Sequence, residues 1–261
     1  MLKLEHISKT FDKGSLNEKT IFTDFSFEVK EKDFVTIIGS NGAGKSSLFN
    51  AIFGTFIVDE GTITLDGKDI TGLPSHKRAK DIGYLFQDPR FGTAPGMTIE
   101  ENLFLAAGEG GWLSIGQKKV SGEFIKRLKL LDMDLEKNLK KPVGLLSGGQ
   151  RQALTLLMAT YTRPKLLLLD EHTAALDPKT AEKVLYLTEK IVREEELTCL
   201  MITHSMSMAL DYGNRIVMMD NGRVIYDASG TEKENQTVDG LLQLFRDKDG
   251  MLKASDRMLL G

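Results

Sequence analysis

Gly39-Ser40-Asn41-Gly42-Ala43-Gly44-Lys45-Ser46 matches the pattern G-x-x-x-x-G-K-[ST] at every fixed position. Such a loop works only where a buried strand hands over to a helix. The residues before it, 33–38, read as a short apolar strand, and residues 45–53 read as the opening turns of a helix. Glycines at 39, 42 and 44 leave the backbone free to aim successive N–H groups at oxygen, and the helix N-terminus adds partial positive charge. The loop therefore predicts a bound nucleotide. Lys45 is placed to reach the β- and γ-phosphates, and the Ser46 hydroxyl to take one position on Mg²⁺, an ion that keeps few protein ligands and several waters.

A chain of 261 residues suits one large domain, or one with a subdomain, and can bury a sizeable core. Its 34 Lys and Arg against 37 Asp and Glu leave a net charge of −3, so no global field recruits nucleic acid. The single cysteine, Cys199, sits in an apolar run, which suits a buried thiol in a reducing, cytoplasmic setting. The N-terminus lacks a signal-peptide core, and no uncharged apolar run approaches the ~18 residues of a membrane span. Work at a membrane would go through a partner.

Residues 2–7 and 21–29 read as strands, the second with Ile21, Phe25, Phe27 and Val29 on one face, and a long polar hairpin loop lies between them. Residues 61–68 form another strand ending in an Asp-Gly turn, and 82–87 a core strand closed by Gln87. The pattern then turns helical: Ile99, Leu103 and Ala106, followed by Phe124, Leu128 and Leu131, recur at helical spacing. Trp112 falls at a glycine-rich break within this region, where it reads as packing or a partner contact. The continuous apolar run 166–169 marks a strand buried on both faces. A helix from Pro178, a buried strand 198–203, an Asn221-Gly222 hairpin and a tail helix through Val238, Leu241, Leu242 and Phe245 complete the chain. Met206, Met208, Met218 and Met219 read as core fillers, and His6, His76 and His172 show no ligand spacing.

Further stretches carry chemistry. Leu146-Ser147-Gly148-Gly149-Gln150 opens a helix whose N-terminus suits an anion, though Ser-Gly-Gly alone is only a helix start. Asp170-Glu171 places two carboxylates at the C-terminal end of a core strand, where ligands bind in open α/β sheets. Gln87 ends a second such strand and His204 follows a third.

With these residues in this order, and over nearly its whole length, the chain resembles the nucleotide-binding subunits of ATP-binding cassette (ABC) transporters. The resemblance implies an α/β phosphate-loop NTPase core, a mixed sheet with an N-terminal antiparallel β part, at about residues 1–97 and 142–230. It also implies an inserted α-helical subdomain at about 98–141 that continues into the signature helix, and a C-terminal helix at about 231–261. It implies ATP and Mg²⁺ as the ligands and hydrolysis of ATP to ADP and phosphate. By resemblance, Phe11 stacks on adenine, residues Gly39 to Ser47 cradle the phosphates (Ser47 included), and Ser46, Gln87 and Asp170 serve Mg²⁺. Glu171 polarises the attacking water, Lys45 and His204 hold the γ-phosphate, and Gln87 senses the transport partner. Ser147, Gly148, Gly149, Gln150 and Asp177 complete the site of the opposite protomer. ATP then acts as the glue of a head-to-tail homodimer, which suits phosphoryl transfer, a reaction that needs positioning and charge neutralisation more than covalent chemistry. A phenylalanine at a strand end is also often plain core, so Phe11 carries both readings.

Three positions depart from the family's usual pattern: His172 stands where proline is common, Ala174 where serine is, and Ala153 where arginine is. The run 171–180 resembles a bacterial importer subgroup that works with permease subunits and a substrate-binding lipoprotein, some of whose members are associated with tryptophan or tyrosine. The expected function is thus the ATPase of an importer for a small solute such as an amino acid, peripheral at the cytoplasmic face of the membrane. An exporter ATPase, or a soluble ATPase of the iron–sulfur assembly type, shares the core motifs and stays open from sequence.

Overall fold

The computed structural model describes residues 1–88, 90–108 and 122–249. In chain order the elements are β1 (Leu2–Phe11), β2 (Lys19–Val29), β3 (Phe34–Gly39), α1 (Lys45–Phe53), β4 (Glu60–Leu65), β5 (Lys68–Asp69), α2 (Ser75–Arg78), β6 (Ile82–Leu85), α3 (Ile99–Ala107) and α4 (Gly122–Leu130). There follow α5 (Gly148–Thr160), β7 (Leu166–Asp170), α6 (Pro178–Glu194), β8 (Thr198–Ile202), α7 (Met206–Asp211), β9 (Arg215–Asp220), β10 (Arg223–Ser229), α8 (Thr231–Glu234) and α9 (Val238–Asp249). The chain divides into two units, one of residues 1–82 and 197 onward, the other of residues 83–196.

In the first unit, β2-β1-β4-β5 form an antiparallel sheet, and β10-β9-β3-β8 lie side by side in a second. There β3 runs parallel to both β8 and β9, while β10 returns antiparallel to β9. Every residue of β3 and β8 is buried, which is why both read as mainly apolar runs rather than alternating ones. The N-terminal strands differ from their sequence pattern. β1 continues to Phe11, and the pairing of β1 with β2 slips where Ile7↔Phe25 is followed by Lys9↔Phe22. One extra residue on β2 makes a bulge, with Asp24 at φ 52°, a left-handed conformation that aspartate tolerates. Phe22, three residues from Phe25, therefore joins the buried face, and Ile21 is left only half-buried.

The tail helix α9 buries Leu241, Leu242 and Phe245 with Ile38, Met206, Ala209, Ile216, Met218 and Ala228. Met206, Met218 and Met219 are core residues as expected, whereas Met208 is half-buried. Residues 231–249 hold two helices, α8 and α9, rather than one. The Leu- and Met-rich end beyond them, like Trp112, lies outside the described residues.

In the second unit, β7 is buried through Leu169, and β6 lies beside it. The strand β6 stops at Leu85, so Gln87 stands in the bend beyond it rather than closing the strand. Helix α3 starts on a reciprocal cap: Thr98 Oγ1 accepts from Glu101 N, and the Glu101 carboxylate accepts from Thr98 N. That cap satisfies two of the N–H groups a helix start leaves over. Asn102, fully buried, donates to the Ala94 and Thr98 carbonyls and accepts from Ala94 N, tying down the loop that precedes α3. Phe124, Leu128 and Leu131 are buried as their spacing requires, and the Phe124 ring stacks on Tyr161 at 4.0 Å.

Candidate nucleotide site

The first unit carries the phosphate loop between β3 and α1. Gly42 and Gly44 have φ of 86° and 96°, and a Cβ at Gly39 would stand 2.2 Å from the Met219 carbonyl oxygen. Only glycine fits that close approach of β3 to β9. Helix α1 begins at Lys45 without a side-chain cap, which leaves its N-terminus to an anion. Lys45 is buried, and its ammonium donates to the Gly39 and Ser40 carbonyls at 2.7 and 2.9 Å. The cation is thus held inside the curl of its own loop. Ser40 Oγ donates to Asp220 at 3.1 Å, and Gly222 N donates to the Ala43 carbonyl at 3.0 Å, so the β9–β10 turn braces the loop from behind. Asn41 and Ser46 are exposed, and Ser47 is half-buried in the first turn of α1.

Phe11 is the last residue of β1 and is half-buried. Its ring meets Phe56 edge-on at 5.1 Å, and the Lys9 ammonium sits 5.1 Å from its centroid. Lys9 is in turn paired with Asp59 at 3.0 Å, which also accepts from Thr10 N at 2.8 Å. The Thr10 backbone bond, helped by Lys13 and Lys9, pulls the Asp59 carboxyl down to about 2. His204 lies two residues past β8 and is half-buried.

The second unit carries the carboxylates. Asp170 is the final residue of β7, and its Oδ2 accepts a hydrogen bond from the buried Tyr84 hydroxyl at 3.2 Å. Burial, with the carboxylate beside it, pushes the Tyr84 phenol well above its ordinary range, so it is a donor at any working pH. Glu171 takes φ 46°, a conformation that disfavours side chains other than those of Gly, Asn and Asp. Its Oε2 accepts from Gln87 Nε2 at 3.0 Å. His172 is buried, with Nε2 3.2 Å from Thr188 Oγ1. That hydroxyl donates to the Val184 carbonyl, so it accepts from His172, which fixes the proton on Nε2.

The signature residues open α5 in this same unit. Ser147 Oγ accepts from Gln150 N, and Gln150 Oε1 accepts from Ser147 N, both at 3.2 Å. Gly148 is exposed, and a Cβ at Gly149 would fall 2.1 Å from Thr180 Cγ2, so glycine lets α5 close on α6. Asp177 caps α6, its Oδ1 accepting from Thr180 N at 3.1 Å. The Thr180 hydroxyl and backbone bonds hold its carboxyl below the usual range. Among the described residues, no three His, Cys, Asp or Glu side chains converge as a metal-binding group. An ion here would lean on phosphate oxygens and few protein ligands, as Mg²⁺ does.

Sequence reasoning passed over Tyr84 and Arg78. Tyr84 lies in an apolar strand, where a phenol reads as packing. Arg78, in the run Ser75-His76-Lys77-Arg78, reads as a solvated charge, yet it is buried and donates to the carbonyls of Ala51, Ile52, Thr71 and Leu73. No local spacing signals either.

A family model described as ABC transporter matches residues 22–174. The tyrosine transport ATP-binding protein of Clostridioides difficile is 45% identical over 247 residues, covering 94% of this chain and 98% of that relative. The phosphonates import ATP-binding protein PhnC 2 of Haloarcula marismortui is 34% identical, over 87% of this chain and 84% of its own length. Among solved structures, the ATP-binding cassette MJ0796, dimeric with ADP and Pi, is 28% identical with a TM-score of 0.73, covering 88% of this chain and 98% of that one. The ADP conformation of the cassette MJ1267 is 29% identical with a TM-score of 0.73, over 94% of this chain and 98% of its own.

Proposed function

The chain belongs to the ABC transporter family, and from that premise we propose that it powers uptake of tyrosine or a closely related aromatic amino acid. It is the ATPase subunit of an ABC importer and hydrolyses ATP to ADP and phosphate. The reading of the cargo is carried by one observation: identity to the tyrosine transport ATP-binding protein is 45% over nearly both whole chains, against 34% for the phosphonate and spermidine/putrescine import proteins. No helix among the described residues is long and apolar enough to cross a membrane. The chain works at the cytoplasmic face through permease subunits, and through them with a substrate-binding lipoprotein.

Phe11 stacks on the adenine, residues 39–47 cradle the phosphates, and Lys45 donates to their oxygens. Ser46, Gln87 and Asp170 hold Mg²⁺, which when bound neutralises charge on the phosphate oxygens. Glu171 accepts a proton from the attacking water, and His204 donates to the γ-phosphate. Ser147 to Gln150 and Asp177 of a second copy close the site, so that two ATP molecules join a head-to-tail dimer and hydrolysis releases it. Differential contact with the two states is what lets hydrolysis drive a transport cycle.

The test is purification of tagged Glu171→Gln chain from detergent-solubilised native cells with ATP and Mg²⁺, with the co-purifying proteins identified by mass spectrometry. A multi-span permease, with a neighbouring lipoprotein that binds tyrosine, is the expected result. Recovery of soluble partners alone, or a lipoprotein indifferent to aromatic amino acids, overturns the reading.

A further inference from the structure

We propose that Tyr84 is the positioning residue of Asp170, orienting the carboxylate on which Mg²⁺ depends. The proposal rests on the reading of Asp170 as a metal-supporting group. Tyr84 sits inside β6, 8% exposed, with its hydroxyl 3.2 Å from Asp170 Oδ2 at the end of the adjacent strand β7. A buried phenol hydroxyl without a partner costs free energy, and Asp170 supplies that partner. For the carboxylate the same bond has a directional effect. Its terminal torsion is soft, and a donor fixed on Oδ2 limits the rotation that torsion allows. The Tyr84 ring is itself held, packed against Phe86 at 4.3 Å between centroids. The donor thus comes from a buried strand and a packed ring.

The neighbouring carboxylate is held differently. Glu171 is met by the side chain of Gln87, which is exposed and lies beyond the strand end. The two supports, three residues apart on one segment, therefore differ: a part-buried bond from within β6 to Asp170, and an exposed bond from beyond the strand end to Glu171. Tyr84 acts through Asp170 and does not touch the reacting atoms.

The test compares the affinity of the full chain for a non-hydrolysable ATP analogue with excess Mg²⁺ and with a chelator, in wild type, Tyr84→Phe and Asp170→Asn. Partners that orient a metal-binding carboxylate typically cost about 10- to 100-fold in metal affinity when removed. We expect the low end, because water can replace a lost hydroxyl at a half-exposed carboxylate. Tyr84→Phe should reduce the Mg²⁺-dependent gain in affinity about tenfold and leave the chelator value unchanged, while Asp170→Asn abolishes the gain. An unchanged ratio in Tyr84→Phe beside a collapsed one in Asp170→Asn sinks the role of Tyr84 alone. An unchanged ratio in Asp170→Asn sinks the metal reading beneath it. A purely structural role for the hydroxyl would lower both affinities together, which also counts against the proposal.

Discussion

Gln87 donates its side-chain amide to Glu171, with 3.0 Å between Nε2 and Oε2. The carboxylate proposed to accept the proton of the attacking water thus already has a neutral donor on one oxygen. Glu171→Gln preserves the shape and removes the base. Loss of a general base typically costs about 10²- to 10⁴-fold, so turnover should fall by at least about a hundredfold while ATP affinity is retained. Because ATP then stays bound, the variant should accumulate as a dimer with ATP and Mg²⁺ by size-exclusion chromatography. Wild-type turnover in this variant would remove Glu171 from its role.

Lys45 should decide affinity rather than rate alone. Its ammonium is held against the Gly39 and Ser40 carbonyls, inside the loop proposed to receive phosphate. Hydrogen bonds to charged groups contribute about 1.5–3 kcal/mol, so Lys45→Ala should weaken ATP binding about 10- to 100-fold or more, as read by calorimetry. Unchanged affinity would count against the phosphate-loop assignment.

Much of this was legible in the residues themselves, because the loop, the Asp170-Glu171 pair and the buried runs of β3, β7 and β8 depend on local sequence. The strand faces were less so. A bulge at Asp24 moves Phe22 inward and Ile21 outward, and no composition rule announces where a strand gains a residue. The supports of the site were not legible at all. Tyr84 reaches Asp170 across 86 positions and Arg78 reaches Ala51 across 27, contacts that pairing of distant segments creates. In the structure Ser147 and Asp177 each cap their own helix.

Arg78 should be a stability residue. It donates to four backbone carbonyls, among them Ala51 and Ile52 in the last turn of α1, where a cation also complements the helix dipole. Burial lowers its pKa, and a guanidinium stays charged within a protein. Arg78→Met keeps the packing and leaves these acceptors unmet, at about 1–3 kcal/mol for each that water cannot reach. A loss of roughly 3 kcal/mol or more is expected from urea unfolding, and a loss below about 0.5 kcal/mol, typical of a surface change, would contradict the buried geometry.

Phe11 separates two readings of one ring. One edge meets Phe56 and Lys9 lies near the ring, yet Phe11 remains half-buried and has surface left for a base. Stacking of a base on an aromatic ring contributes about 1–3 kcal/mol, so Phe11→Ala should weaken ATP binding about fivefold or more, with little loss of affinity for inorganic triphosphate. Equal losses for both ligands, or none for either, would make Phe11 a core residue only.

His172 gives the fold a pH dependence. Burial pulls its imidazole down to about 4 from an ordinary 6.5. The unfolded chain therefore binds a proton between those values that the folded chain refuses, so stability falls as pH drops from about 6.5 towards 4 and is fully present above that window. At pH 5 the loss from this group is roughly 2 kcal/mol, since each pKa unit is worth about 1.4 kcal/mol. Other acidic groups titrate as well, so the informative quantity is the difference between wild type and His172→Gln, a variant that keeps a donor for Thr188. Urea unfolding of the nucleotide-free, metal-free chain on either side of pH 6 should show the variant losing less stability on acidification. Parallel pH profiles would mean that the imidazole is reached by water and titrates as it does in the unfolded chain.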